Sequence, residues 1–200
     1  MTTTLGGPMA ETTSLRAVAG RLIEVLDECG DDVVSREADL ADALRAVLAL
    51  PGLDTVVANP VGDADGAEPF TGWLYHDGDL RIVRGRMPAG MRLDPHSHGT
   101  WNLFGVYSGA VKYVSYRRLD DGTEPYRADL EVAEDRIMRD GDVTVMPGPP
   151  HDIHGVVGLA PVSTTVLVAR GQFSPVREQF FPDEGCYVRF EGDGRGARVT

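Results

Sequence analysis

The sequence predicts a mainly β chain, an antiparallel sandwich or barrel that carries a helical N-terminal region. Three observations point there. Helical apolar spacing is confined to roughly the first fifty residues; after about residue 60 the chain turns to short runs rich in Val, Tyr, Leu and Thr; and turn dipeptides punctuate those runs.

Residues 14–29, SLRAVAGRLIEVLDEC, place Leu15, Val18, Leu22, Val25 and Leu26 on one helical stripe, with Ser14 as N-cap and Gly30 as stop. The segment SREADLADALRAVLALPG repeats the pattern with Leu40, Leu44, Val47 and Leu48 and ends at Pro51-Gly52. Both helices are expected to pack against the rest of the chain. Strands are expected at 72–76, 79–87, 93–98, 102–108, 110–118, 125–133, 143–146, 153–157, 163–169 and 186–190. Between them lie Asp77-Gly78, Asp121-Gly122, Asp140-Gly141 and Pro147-Gly148. Such regular spacing favours an antiparallel sandwich or barrel over a βαβ sheet. The organisation expected is a helical region at 1–58, a barrel at 59–191 and a frayed tail at 192–200.

Composition narrows the function. At 42% hydrophobic and 25% charged residues, the chain can build a sizeable core. A formal net charge of −12, with no Lys/Arg cluster, argues against nucleic acid and acidic membrane surfaces as partners. The two cysteines, Cys29 and Cys186, form neither a disulfide framework nor a zinc knuckle. The start lacks the pattern of a signal peptide and no run is long enough to span a bilayer, so a cytoplasmic setting is expected.

Four of the five histidines fall in two groups, His96/His98 in DPHSHG and His151/His154 in PGPPHDIHG. On a strand, residues i and i+2 face the same way, roughly 6.5 Å apart, so two imidazoles can converge on one ion. On a helix the same spacing would turn them about 200° apart. The ordinary alternative is a surface strand with two solvated histidines. The second group supplies a third ligand from another strand: His151 follows two prolines in the connection, whereas His154 enters a strand with Ile153 and Val156, which favours His154.

These residues resemble the cupins. Gly90, His96, His98, Asn102 and Gly109 fit the spacing of the first cupin motif, with asparagine in place of its glutamate; Gly141, Pro147 and His154 fit the second. The resemblance implies a double-stranded β-helix, a jelly-roll-like barrel. Within cupins the chain looks most like the cysteine dioxygenase family and its bacterial thiol dioxygenase branch, through HSHGTWNLFGVYSG, KYVSYRRLDDG and the Ile153–Val156 segment. In that family three histidines hold ferrous iron, so the resemblance implies His96, His98 and His154 as ligands. Iron(II) is the expected metal, with nickel, manganese and zinc as alternatives. Three neutral ligands leave the ion's charge uncompensated, which favours a small anionic substrate oxidised with dioxygen, a thiol such as cysteine or a cysteine-derived compound among them.

The match departs in three places. The family's carboxylate-binding arginine is absent from FTGWLYH, leaving Arg81, Arg84, Arg86 and Arg92 as substitutes. The family's Ser-His-Tyr relay keeps Ser163 but has Thr165 and Leu167 in the other places, and Asn102 replaces the cysteine that cross-links to that tyrosine. Asn102 reads as a weak oxygen ligand, a hydrogen-bonding neighbour of bound substrate or dioxygen, or a satisfied polar residue. Ser163, Thr165 and His151 are further candidates beside the metal; Met87, Trp101, Tyr107 and Leu167 are candidates for the substrate pocket. The ordinary role of Trp101, Phe104, Val106 and Tyr107 is barrel filling. Tyr116-Arg117-Arg118 reads as an exposed strand end and His76 as solvated. The rival functions are a metal- or ligand-binding cupin without catalysis and a cupin isomerase or hydrolase using another divalent metal. The resemblance to cupins, which often pair through their outer strands, leaves a homodimer open.

Overall fold

The computed structural model describes residues 14–30, 32–55, 70–77, 80–170, 176–191 and 198–199. It contains α1 (Leu15–Cys29), α2 (Glu37–Leu48), β1 (Phe70–His76), β2 (Leu80–Pro88), β3 (Arg92–His96), β4 (Asn102–Ser108), β5 (Ala110–Arg118), β6 (Leu130–Arg139), β7 (Val143–Met146), β8 (His154–Gly158), β9 (Val162–Arg170), β10 (Val176–Phe181), β11 (Cys186–Glu191) and β12 (Arg198–Val199). The start of the chain, the expected boundary at residues 58/59, the glycine of the Asp77-Gly78 turn and most of the expected tail lie outside the described residues.

Four strand pairs are nested inside one another. β2 pairs with β9, β3 with β8, β4 with β7 and β5 with β6, all antiparallel. The pairs Leu80↔Arg170, Leu93↔Val156, Leu103↔Val145 and Val111↔Met138 all share a midpoint near about residue 124. The barrel is therefore one long hairpin, tipped by the 119–129 turn and wound so that successive strands alternate between two sheets. The sheet orders are β1-β2-β9-β4-β7 and β12-β11-β10-β3-β8-β5-β6. This is the double-stranded β-helix of the cupin fold, as the sequence predicts.

Alternation along the strands sorts the core into layers. Val83, Met87, Phe104, Val106, Val111, Tyr113, Met138, Met146, Val156 and Leu167 fill the space between the sheets. The opposite face of the five-stranded sheet presents Leu80, Ile82, Leu103, Val166 and Val168 to the helices, which bury Val18, Leu22, Leu26, Leu40, Leu44 and Val47 against it. Ser14 caps α1, its hydroxyl accepting the Ala17 amide at 3.2 Å. Gly105 lets α2 sit close to β4: a side chain there would meet Leu48 Cδ1 at 2.8 Å and Leu44 Cδ2 at 3.2 Å.

Several expectations change. The strand expected at 125–133 begins at Leu130 and runs to Arg139, because Asp120 accepts the Gly122 and Asp129 amides at 2.9 and 2.7 Å and turns the preceding chain. β10 is absent from the strands that the sequence predicts, since its alternation sets Arg177 and Gln179, not apolar groups, on one face. Within the expected tail, Arg198–Val199 pairs with β11. Of the expected exposed run, Arg117 is exposed, but Arg118 is largely covered: it bonds Asp120 and lies 5.3 Å from the Tyr187 ring centroid. His76 is exposed, as expected, and stacks on Trp73 at 5.2 Å.

Replacing Gly105 by Val is expected to cost about 1–3 kcal/mol by overpacking the α2–β4 contact, read as a lowered midpoint in urea unfolding. Gly20→Ala in α1, where a side chain meets nothing within 4 Å, is expected to leave stability unchanged or raise it.

Candidate metal centre

The nested pairing sets His96 of β3 directly opposite His154 of β8. Between Leu93↔Val156 and His96↔His154 the ladder carries a bulge, three residues on β3 against two on β8. Without it, alternation from the inward Leu93 would turn His96 outward. With it, His96, His154 and the core residue Val156 share the inner face. Gly155 accommodates the bulge, since a side chain there would sit 3.2 Å from the Leu93 carbonyl. The strand expected at 93–98 thus ends at His96, and His98 lies two residues beyond it in irregular chain.

His98 is held by a different device. The Asp152 carboxylate accepts the backbone amides of His98 and Gly99 through Oδ2, at 2.9 and 2.8 Å. The Asp152 carbonyl faces His154 Nδ1 at 3.1 Å, and the Asp94 carbonyl faces His96 Nδ1 at 2.8 Å. A carbonyl can only accept, so in both rings Nδ1 carries the proton and Nε2 presents its lone pair. The ligand atoms of the three histidines lie within 4.8 Å of one another, and their ring centroids are 4.6–5.2 Å apart. Tyr113 stacks on His154 at 5.9 Å, with Phe104 stacked 6.1 Å beyond it.

All three imidazoles are driven neutral. Burial holds His96 and His154 below the usual imidazole range, His154 at about 3, and pushes His98 well down; the neighbouring histidines add to this for His98 and His154. Three neutral imidazole nitrogens gathered this way are the donor set of a borderline divalent ion. Burial also raises the Asp152 carboxyl, opposed by the amides it accepts.

The other predicted residues disperse. Asn102 is fully buried at the start of β4 on the inner face it shares with Phe104; its amide donates to the Thr100 carbonyl at 3.4 Å, and its Oδ1 has no hydrogen-bond partner among the described residues. Thr165 is fully buried and faces inward four residues along the ladder from the level of Asn102, beside Val106. Ser163 braces the far end of the barrel, donating to the Ala110 carbonyl at 2.7 Å and accepting its amide at 3.2 Å. Ala110 stands five residues along β5 from Ser115, the partner of His154, so Ser163 is remote from the histidines. His151 is exposed in the connection before β8. Met87 and Leu167 line the interior, but Trp101 and Tyr107 pack on the helix side, where the Tyr107 hydroxyl accepts the Gly52 amide at 3.1 Å. Within β4, the odd position of Tyr107 sets it on the face opposite to Phe104 and Val106.

Among the four candidate arginines, Arg81 shares the inner face of β2 with Val83 and Met87 and lies 5.9 Å from the Trp73 ring centroid. Arg84 turns to the helices and donates to the Leu53 carbonyl at 3.2 Å, while Arg86 and Arg92 are exposed. Arg177 of β10 enters the site without a signal in any motif. Gln179 pairs with His96, so the same register sets Arg177 level with His98, and its charge weighs on both His96 and His98. A cavity of about 380 Å³ lies on the opposite face of this sheet, lined in part by Ser97, Gly99, Asp152, Glu178 and Phe180.

Fold and site together define a cupin-type barrel with three convergent histidines. No protein-family model matches the chain, and no curated protein matches it. Among solved structures it is similar to an oxalate oxidase, 20% identical over 48% of this chain and 43% of that one, with a TM-score of 0.38. It is similar also to KdgF from Halomonas sp., 21% identical over 55% of this chain and 86% of that one, at 0.39. A third likeness is a protein with a double-stranded β-helix domain from Klebsiella pneumoniae, 17% identical over 60% and 93%, at 0.40. The matched part spans less than half of the oxalate oxidase. No helix among the described residues is long and apolar enough to cross a membrane.

Asp152→Ala is expected to cost about 1–3 kcal/mol in urea unfolding, because the buried His98 amide loses its acceptor; Asp152→Asn, which keeps an acceptor oxygen, should lose less. The metal-free protein should also lose stability as pH falls from about 6.5, where the unfolded histidines take up protons, toward about 3, where folded His154 does so. The unfolded state binds more protons throughout that window, so unfolding is favoured. His154→Phe is expected to flatten the fall, measured as urea midpoints across pH.

Proposed function

We propose that this chain is a mononuclear metal oxygenase, iron-dependent, that oxidises a small anionic organic substrate with dioxygen, thiols being the first class to examine. The observation that carries the reading is the inward convergence of three imidazoles, kept neutral by burial, with two oriented by carbonyls so that Nε2 is free to ligate. His96, His98 and His154 would hold the ion, which when bound supplies a Lewis acid and a redox centre.

The chain's own residues define what that centre can accept. None of the three ligands is anionic, so the substrate brings the compensating charge. The Asp94 and Asp152 carbonyls fix the tautomers, and the Asp152 carboxylate fixes the backbone of His98. Phe104, Tyr113, Met146 and Val156 wall the interior and exclude water. Burial keeps the Tyr113 phenol protonated. The Ser163–Thr165–Leu167 stretch offers no proton relay beside the histidines, which separates this site from the thiol dioxygenases that the sequence resembles.

Metal analysis should find about one ion per chain in the wild type, and far less in His96→Ala and His154→Ala; full occupancy in both would overturn the ligand assignment. Iron-loaded protein given a panel of small thiols and carboxylates should consume dioxygen with at least one. Metal bound at full occupancy with no uptake for any of them would favour a binding protein instead.

A further inference from the structure

The outer face of the seven-stranded sheet, turned away from the histidines, carries its own small core of Ala128, Ile153, Phe180 and Tyr187. Beside it lies the cavity of about 380 Å³, at the lower end of small-molecule sites. Four charged side chains line it: Arg118, Asp152, Glu178 and Arg189. Three of them are already matched. Arg118 binds Asp120 and the Arg127 carbonyl, each at 2.8 Å, and Arg189 binds Glu178 at 3.2 Å. Asp152 differs. It is only 2% exposed, its Oδ2 accepts two neutral amides, and its Oδ1 meets no donor among the described residues. With both arginines balanced by acids, the wall keeps one uncompensated negative charge. Such a charge, held largely out of water, favours a partner of opposite sign that also donates hydrogen bonds.

The rest of the wall decides which cation. A hard metal ion needs about six or more oxygen ligands, and among the described residues only the histidine trio gathers within reach of one ion. Here Pro149, Pro150, Ile153 and Phe180 make much of the lining apolar. An ammonium group on an apolar body suits both parts: its N–H donors face the carboxylate, and its hydrocarbon covers Ile153 and the Phe180 ring. We propose that this cavity is a second ligand site, for a small primary ammonium compound with an apolar body, and that Asp152 is its anionic anchor. The same carboxylate holds the His98 and Gly99 amides, so the occupant and the histidine loop share one residue.

The test titrates isotope-labelled full-length protein with benzylammonium, with benzyl alcohol as its neutral isostere and with benzoate as the anion, read by NMR shifts of backbone amides. Wild type should bind the ammonium at least about tenfold more tightly than the alcohol, with the shifts centred on Gly99, Ile153 and Phe180. Asp152→Asn, which keeps the shape and an acceptor oxygen, should bring that ratio to about one. Arg189→Gln strips Glu178 of its cation at a half-exposed position and should raise the ratio about two- to fivefold. Each ratio is taken within one protein, so partial unfolding cancels; should Asp152→Asn not fold at all, the Arg189→Gln ratio decides. No metal enters the readout, so the result stands apart from the metal-centre reading. Equal binding of ammonium and alcohol by wild type, tighter binding of benzoate, or shifts centred elsewhere overturns the proposal. So does a preference that survives in Asp152→Asn or fails to rise in Arg189→Gln.

Discussion

The pairing of β3 with β8 is the constraint on which the site depends. It is one rung of a hairpin that runs through the whole barrel, so its register is fixed by every other nested pair at once. A one-residue slip would exchange the two faces of both strands and turn the histidines out. The bulge at Asp94-Pro95 interrupts the pairing of β3 with β8, and it is what brings His96 onto the face of His154. Strand pairing elsewhere serves the core; this pairing serves the chemistry.

Asp152 ties the remaining parts together. One residue holds the backbone of His98 with its carboxylate and the ring of His154 with its carbonyl. Its buried charge is tolerable because two amides converge on one oxygen. The three histidines bear the opposite cost: burial keeps all three unprotonated, aided at His98 and His154 by the neighbouring rings, and that is the state that ligates metal. The charge of Arg177 presses in the same direction on His96 and His98.

Much of the fold is legible in sequence because its signals are local. The stripe Leu15–Val18–Leu22–Leu26 and the cap at Ser14 mark α1, and alternation marks β4, β5 and β7 at the bounds observed. His154 is separable from His151 because two prolines keep the latter in a connection. The signal weakens where a strand faces polar space. β10 places Arg177 and Gln179 beside the histidines, so it lacks the apolar alternation that betrays a strand. Side-chain bonds of Asp120 to nearby amides likewise overrule the propensity of 125–129 for strand.

By itself, then, the sequence determined the helical start, the barrel class and the three histidines, since spacing, turn residues and period are properties of short stretches. Which side of a strand faces inward is not such a property. Only the tertiary structure placed Trp101 and Tyr107 on the helix side, sent Ser163 to the far end, chose Arg81 over Arg84, Arg86 and Arg92 for the interior of β2, and brought Arg177 level with His98. Each of those outcomes is set by register between strands far apart in the chain, which local pattern does not encode.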